Sequence, residues 1–353
     1  MKENRINAEI MKAPHGACAI ATMTFDDGVH STATKLRELM VKHGLSASLM
    51  VVPTRIMAIP PYSSGYSNED ELRELCRGGY IDIQSHSYSH LYIAEETSPD
   101  YHPENCTDEN RERETRGSLE WLREHFPENK TVAFAVPGGS YDEQVKERTR
   151  ECFYAIRNGR LPKGKVQSLT PREGNEHGDW ARLAKVWLRE CDIDEIIKHL
   201  DLCIDEGGWF ISGCHNLFGQ ELGRGNFDIT PEGLERILAA MRERVDAGRL
   251  AVMTFGDATC YLREYEASTL EAELTGERIE LELAMKETTP YGLPLSEDIF
   301  NLPLTVKVEL PREWRAAELE GGGEVVLESK DGVTYALFEL PPRGKATLKM
   351  VQK

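Results

Sequence analysis

From about residue 17 to residue 266, short apolar runs take turns with stretches of helical period, and this alternation constrains the fold more than any other feature of the sequence. Residues 18–25 read as a strand, and 31–43 as a helix stopped by Gly44, a glycine just past the last turn where left-handed backbone is needed. Residues 49–52 and 80–84 read as the next strands. The run 132–136 follows a helix over 118–125, and 153–157 is strand-like again. A helix over 193–205 precedes a strand over 209–212, and one over 231–247 precedes a strand over 250–254. Thr230-Pro231 supplies an N-cap and then a proline at the first helical position, which has no use for an N–H. Repeated strand–helix units imply a parallel sheet, either open or closed into a barrel.

The pattern changes after Tyr265. Leu270, Ala272 and Leu274, then Ile279, Leu281 and Leu283, alternate with period two across a Thr275-Gly276 turn. More strand-like runs follow at 304–310, 325–328 and 335–340, separated by glycine and proline clusters. The expected organisation is therefore a barrel-type α/β domain over 1–266 and a small antiparallel, sandwich-like β domain over 267–353. A chain of 353 residues is long enough for both. The net charge of −18 argues against nucleic-acid partners and anionic membrane surfaces. No run approaches the roughly 20 apolar residues of a membrane span. The first residues, Met1-Lys2-Glu3-Asn4-Arg5, lead into no apolar signal region, so the chain as written is expected in the cytoplasm, or secreted if a leader was trimmed. Eight cysteines without a CxxC pair fit a reducing compartment. The polar, acidic stretch 95–116 suits either a substrate-side lid or a solvated insertion.

Thr24-Phe25-Asp26-Asp27-Gly28 places two adjacent carboxylates at the end of an apolar strand, where ligand sites of α/β folds gather. Consecutive side chains leaving a strand diverge, so one carboxylate can bind a metal while its neighbour stays off it. Taken alone, the segment also reads as an Asp-Gly turn. His86-Ser87-Tyr88-Ser89-His90 follows the strand over 80–84. Histidines at i and i+4 share one face of a helical turn and can share a metal. Together Asp27, His86 and His90 supply the one carboxylate and two imidazoles expected of a catalytic zinc with open positions. His215, just after the strand over 209–212, points to the same rim. Its neighbour Cys214 faces the other way and reads as core.

These residues, in this order and strand context, resemble the first, second and fifth motifs of the NodB-homology polysaccharide deacetylases, carbohydrate esterase family 4, over roughly residues 17–266. The resemblance implies a distorted (β/α) barrel of about seven strands. The run Asn301-Leu302-Pro303-Leu304-Thr305 is similar to an accessory domain of some members. It further implies Asp27, His86 and His90 as metal ligands, Asp26 as general base and His215 as general acid. The cofactor would be one divalent ion, zinc with cobalt or nickel as alternatives. Bound zinc brings a water towards neutral pKa and polarises an acetyl carbonyl, a free carboxylate can take the proton, and histidine titrates where an amine needs protonating.

At the third motif the chain departs from the pattern. Phe134-Ala135-Val136-Pro137-Gly138-Gly139-Ser140-Tyr141 carries Ala135 where many members have an arginine orienting the base. Pro137, Gly138, Gly139 and Tyr141 are candidate substrate contacts, with an oxyanion N–H from Gly138 or Gly139. Asp179-Trp180 is a remnant of the fourth motif or an ordinary loop. His30 reads as a surface residue, and Tyr88, Trp209 and Phe218 as sugar-stacking or core aromatics. The expected activity is hydrolysis of acetyl groups from an acetylated carbohydrate, N-acetyl first. O-acetyl ester hydrolysis, cyclic amide hydrolysis and catalytically silent glycan binding are the alternatives. A homo-oligomer is left open.

Overall fold

The computed structural model describes residues 6–56, 65–139, 141–171, 179–217 and 229–351. The chain forms two compact units, Ala19–Thr259 and Met1–Cys18 with Cys260–Lys353.

The first strand, β1 (Ala8–Ile10), belongs to the second unit. The larger unit carries β2 (Ala19–Asp26), β3 (Ala47–Val51), β4 (Ile81–Ser85), β5 (Ala133–Ala135), β6 (Ala155–Arg160), β7 (Gln167–Ser168), β8 (Leu183–Trp187), β9 (Gly208–Cys214) and β10 (Leu250–Val252). Seven of them pair in parallel in the order β2-β3-β4-β5-β6-β8-β9, and β9 returns to β2, with Ile20 opposite Trp209 and Phe25 opposite Cys214. The result is a closed, distorted parallel barrel. β10 adds in parallel beside the start of β2, and the two-residue β7 runs antiparallel to β9. All eight residues of β2 are buried, as a strand covered on both faces requires.

Helices α1 (His30–His43), α2 (Pro53–Ile56), α3 (Glu69–Cys76), α4 (Asp108–Glu112), α5 (Ser118–His125), α6 (Glu143–Arg150), α7 (Ile193–Glu206) and α8 (Pro231–Asp246) accompany these strands. α1 ends at Gly44, whose φ of 60° lets its N–H reach the Met40 and Val41 carbonyls. α8 starts with the Thr230 hydroxyl accepting from the Gly233 N–H, ahead of Pro231. Leu36 and Met40 of α1, Leu200 of α7 and Leu238 of α8 close over Met23, Phe25, Leu49, Ile83 and Phe210 in one apolar core.

Two details differ from the sequence pattern. β8 was not anticipated, because Lys185 interrupts Leu183-Ala184-Lys185-Val186-Trp187 and leaves no apolar run. The strand forms because the sheet needs a partner between β6 and β9. The acidic stretch 95–116 is exposed or half-buried through residue 110, and only its end packs into the fold. α4 runs through a π turn, Arg113–Gly117, into α5, and buries Arg111 and Glu114.

The second unit holds two four-stranded antiparallel sheets, in a sandwich-like arrangement. One has the order β1-β13-β16-β15, with β13 (Leu304–Glu309), β15 (Val326–Lys330) and β16 (Val333–Leu340). The other is β11-β12-β17-β14, with β11 (Ser268–Thr275), β12 (Arg278–Met285), β14 (Ala317–Leu319) and β17 (Lys345–Met350). The period-two reading is visible in β12, where Ile279, Leu281, Leu283 and Met285 are buried between exposed neighbours. The expected boundary placed everything before 267 with the barrel. Instead, β1 pairs antiparallel with β13, Ala8 opposite Val308 and Ile10 opposite Val306, and supplies backbone partners to an edge that would otherwise lack them. Among the described residues, no helix is long and apolar enough to cross a membrane.

Candidate metal centre

The site lies at the C-terminal ends of the barrel strands, and the break at the end of β2 divides its two carboxylates. Asp26 is the last residue of β2, while Asp27 adopts φ 79° and Gly28 φ 71°, both left-handed. The chain therefore turns sharply between them. Asp26 meets groups from β6 and β8, and Asp27 meets the histidines that follow β4.

Asp27 Oδ1 lies 3.7 Å from His86 Nε2 and 3.5 Å from His90 Nε2. One ligand atom from each of the three residues falls within 4.8 Å of the others. A tetrahedral ion with bonds of about 2.1 Å sets neighbouring ligand atoms about 3.4 Å apart, so donor type and spacing both fit one divalent ion. His86 Nδ1 donates to the Ala135 carbonyl at 2.8 Å, which turns the lone pair of Nε2 towards Asp27. Burial pushes the His86 imidazole down to about 3 and so keeps it in the neutral form a metal needs. Burial alone would raise Asp27, but His86, Arg55 of α2 and His90 hold its carboxyl below the usual range. The Arg55 guanidinium forms an ion pair with Asp27 Oδ1.

The histidines do not share a helical turn. Ser87 and His90 both have left-handed backbone, at φ 65° and 61°, so residues 86–90 form a tight loop whose shape converges the two imidazoles. Such conformations cost energy in non-glycine residues and need support from outside the loop. Glu114, in the π turn, supplies it. Its carboxylate accepts from the Ser89 N–H at 2.8 Å, the Ser89 hydroxyl at 2.6 Å and the Leu91 N–H at 3.5 Å. The Ser87 hydroxyl accepts from the His90 N–H at 3.0 Å.

Asp26 lies outside the metal set, and it is buried. Arg157 Nη2 of β6 donates to its Oδ1, and Lys185 Nζ of β8 stands 3.6 Å from its Oδ2. Burial would raise the Asp26 carboxyl, yet Arg157 and Lys185 outweigh it and hold the group far below the usual range. Burial, then Arg157, push Lys185 down to about 7. His215 stacks on Trp187, the last residue of β8, with ring centroids 5.2 Å apart and planes at 15°. Burial lowers its imidazole, while Asp26 and Asp27 act to raise it.

The remaining candidates are scattered. Pro137 to Gly139 form a 3₁₀ turn after β5. Gly138 has φ 67°, and a Cβ there would lie 2.5 Å from Tyr92, so a side-chain contact accounts for this glycine. The Gly139 N–H donates to the Val136 carbonyl, which leaves Gly138 as the oxyanion candidate. Tyr141 is buried among Val145, Phe134 and Phe153. Asp179 accepts from Arg150 and from the Ala181 N–H, and Trp180 lies edge-on to Trp209; both read as structural. Trp209 and Cys214 are core, and His30 Nδ1 sits 3.3 Å from both Ser67 and Glu71. Tyr88 is half-buried, and its carbonyl accepts from the Thr54 N–H. Phe218 lies outside the described residues.

The polysaccharide deacetylase family model matches residues 15–156. Over that span, which is less than half of its length, the chain is similar to the polysaccharide deacetylase family. No curated protein sequence matches the chain. Among solved structures it is similar to a putative polysaccharide deacetylase from Mycobacterium smegmatis, at 12% identity and TM-score 0.45, over 74% of this chain and 96% of the other. It is also similar to the peptidoglycan deacetylase PdaC from Bacillus subtilis, at 12% identity and TM-score 0.39, over 70% and 91%. A family 4 acetyl xylan esterase from Clostridium thermocellum matches at 17% identity and TM-score 0.39, over 68% and 89%. Arg157 stands one position past the family match, and Lys185 is in the strand that the apolar pattern does not reveal. Neither carries a local signal in the sequence. The alanine at motif three does not leave Asp26 without an arginine, because one arrives from the next strand.

Proposed function

We propose that the protein is a metal-dependent deacetylase that removes N-acetyl groups from amino sugars of a glycan or glycoconjugate. The observation that carries this reading is the buried carboxylate of Asp26, held beside the Asp27–His86–His90 cluster yet outside it. A site built only to bind metal has no use for it. Asp27, His86 and His90 would hold the ion, zinc by their donor set, with cobalt or nickel as alternatives. A divalent ion held there would polarise an acetyl carbonyl and make a water easier to deprotonate near neutral pH.

The chain's own groups do the rest. Asp26, kept ionised by Arg157 and Lys185, accepts a proton at Oδ1 or Oδ2. His215, stacked on Trp187, has its imidazole lowered by burial against the pull of both aspartates, and it delivers a proton to the departing amine nitrogen. The Gly138 N–H is the backbone donor assigned to the developing oxyanion.

The test is acetate release from chitooligosaccharides, peptidoglycan fragments and acetylated xylan, with and without chelator. The reading requires chelator-sensitive release that returns on adding zinc, with amide substrates preferred. His215→Ala is expected to depress amide turnover at least tenfold more than ester turnover, since an alkoxide leaves with less help than an amine. Tight glycan binding without release from any substrate would sink the enzyme reading.

A further inference from the structure

A buried carboxylate needs one counter-charge, and Asp26 has two. They come from different strands, Arg157 from the middle of β6 and Lys185 from the middle of β8. Arg157 is fully enclosed, and among the described residues its Nε and Nη1 make no hydrogen bond, so burying this guanidinium is costly. Room for the pair is reserved on β9, the strand next to β8. A Cβ on Gly213 of β9 would lie 2.6 Å from Lys185 Cδ and 2.8 Å from Arg157 Nη1, closer than real side chains approach. Lys185 also makes a second contact, its Nζ standing 4.0 Å from the centroid of the Trp187 ring, in cation–π range. Trp187 in turn stacks on His215. A continuous line of contacts thus runs Asp26–Lys185–Trp187–His215 and joins groups carried by β2 and β9.

We infer that Arg157 and Lys185 are the positioning residues of this site: Arg157 fixes the orientation of Asp26, and Lys185 sets the spacing between Asp26 and the Trp187–His215 stack. Neither belongs to the Asp27–His86–His90 cluster. A bystander ion pair would need no link to His215 and no glycine opposite. The inference rests on the deacetylase reading, because it gives Asp26 and His215 the work that positioning serves.

The experiment compares kcat and KM for acetate release by the full-length, zinc-loaded protein and its variants, with metal content and thermal midpoint measured on the same samples. Arg157→Ala is expected to lower kcat about a hundredfold with KM within threefold, the scale of a reacting group misplaced by about an ångström. Guanidinium added to the buffer should restore part of it, which would not happen if the side chain only filled space. Lys185→Met and Gly213→Ala should each lower kcat at least tenfold with metal retained. Gly213→Ala keeps both cations and displaces them, and so reports even if Arg157→Ala does not fold. Lys185→Met and Gly213→Ala within twofold of wild type would overturn the inference alone. So would losses that track lost metal or lost fold. Absence of release by the wild-type protein itself would instead overturn the deacetylase reading, and this inference with it.

Discussion

Adjacent aspartates have different fates here because of one backbone angle. With Asp27 at φ 79°, its carboxylate turns to the histidines while Asp26 keeps the direction of β2 and meets Arg157 and Lys185. The Asp27–His86–His90 cluster was legible in the sequence because each group sits in a short motif at the end of an apolar strand. Arg157 was not, being 131 positions from Asp26 in a segment that reads simply as strand. At this scale the charge on Asp82, a half-buried aspartate, is also testable. Asp82 of β4 accepts from Gln84 Nε2 at 2.8 Å and from the Gly256 N–H at 3.1 Å, yet burial pushes it up to about 6. Its folded state thus binds more protons than its unfolded state between about pH 4 and 6, so its contribution to stability is present below that window and lost as pH rises through it. Relative to Asp82→Asn, which does not titrate, wild type is expected to lose about 2–3 kcal/mol between pH 4 and 7. Urea midpoints of the two proteins across that range check this; parallel curves would refute it.

At the scale of elements, the informative cases are those where periodicity was silent or misleading. β8 is a strand without an apolar run, because its middle residue is a lysine whose charge is spent on Asp26. The spacing of His86 and His90 suggests a helical turn, but the loop reaches the same convergence with two left-handed residues. The acidic stretch 95–116 reads as a lid or a solvated insertion; it is exposed or half-buried through residue 110, while its end folds into α4 and a π turn that places Glu114 beside that loop. Irregular helical turns of this kind often mark functional sites. Glu114→Gln keeps the shape but removes one acceptor oxygen from the three contacts with Ser89 and Leu91. Zinc affinity, measured by competition with a chromophoric chelator, is expected to fall about tenfold. Unchanged affinity would mean that the loop supports itself.

Over the whole molecule, the division into a parallel barrel and an antiparallel β unit follows from a change of period near residue 267, and both units have that character. The N-terminal strand escaped this reading because three residues carry no period, and only its pairing with β13 places it in the second unit. Barrel closure between β9 and β2 brings groups from β2, β4, β6, β8 and β9 to one rim, as no local pattern could reveal. The central claim is that this rim separates metal holding from proton transfer between Asp27 and Asp26. The most direct test is zinc content and acetate release measured side by side for Asp26→Asn and Asp27→Asn. The account predicts that Asp26→Asn keeps one equivalent of zinc and loses release by about a hundredfold or more, while Asp27→Asn loses the metal itself. An Asp26→Asn protein that sheds its zinc, or that still releases acetate at the wild-type rate, would contradict it.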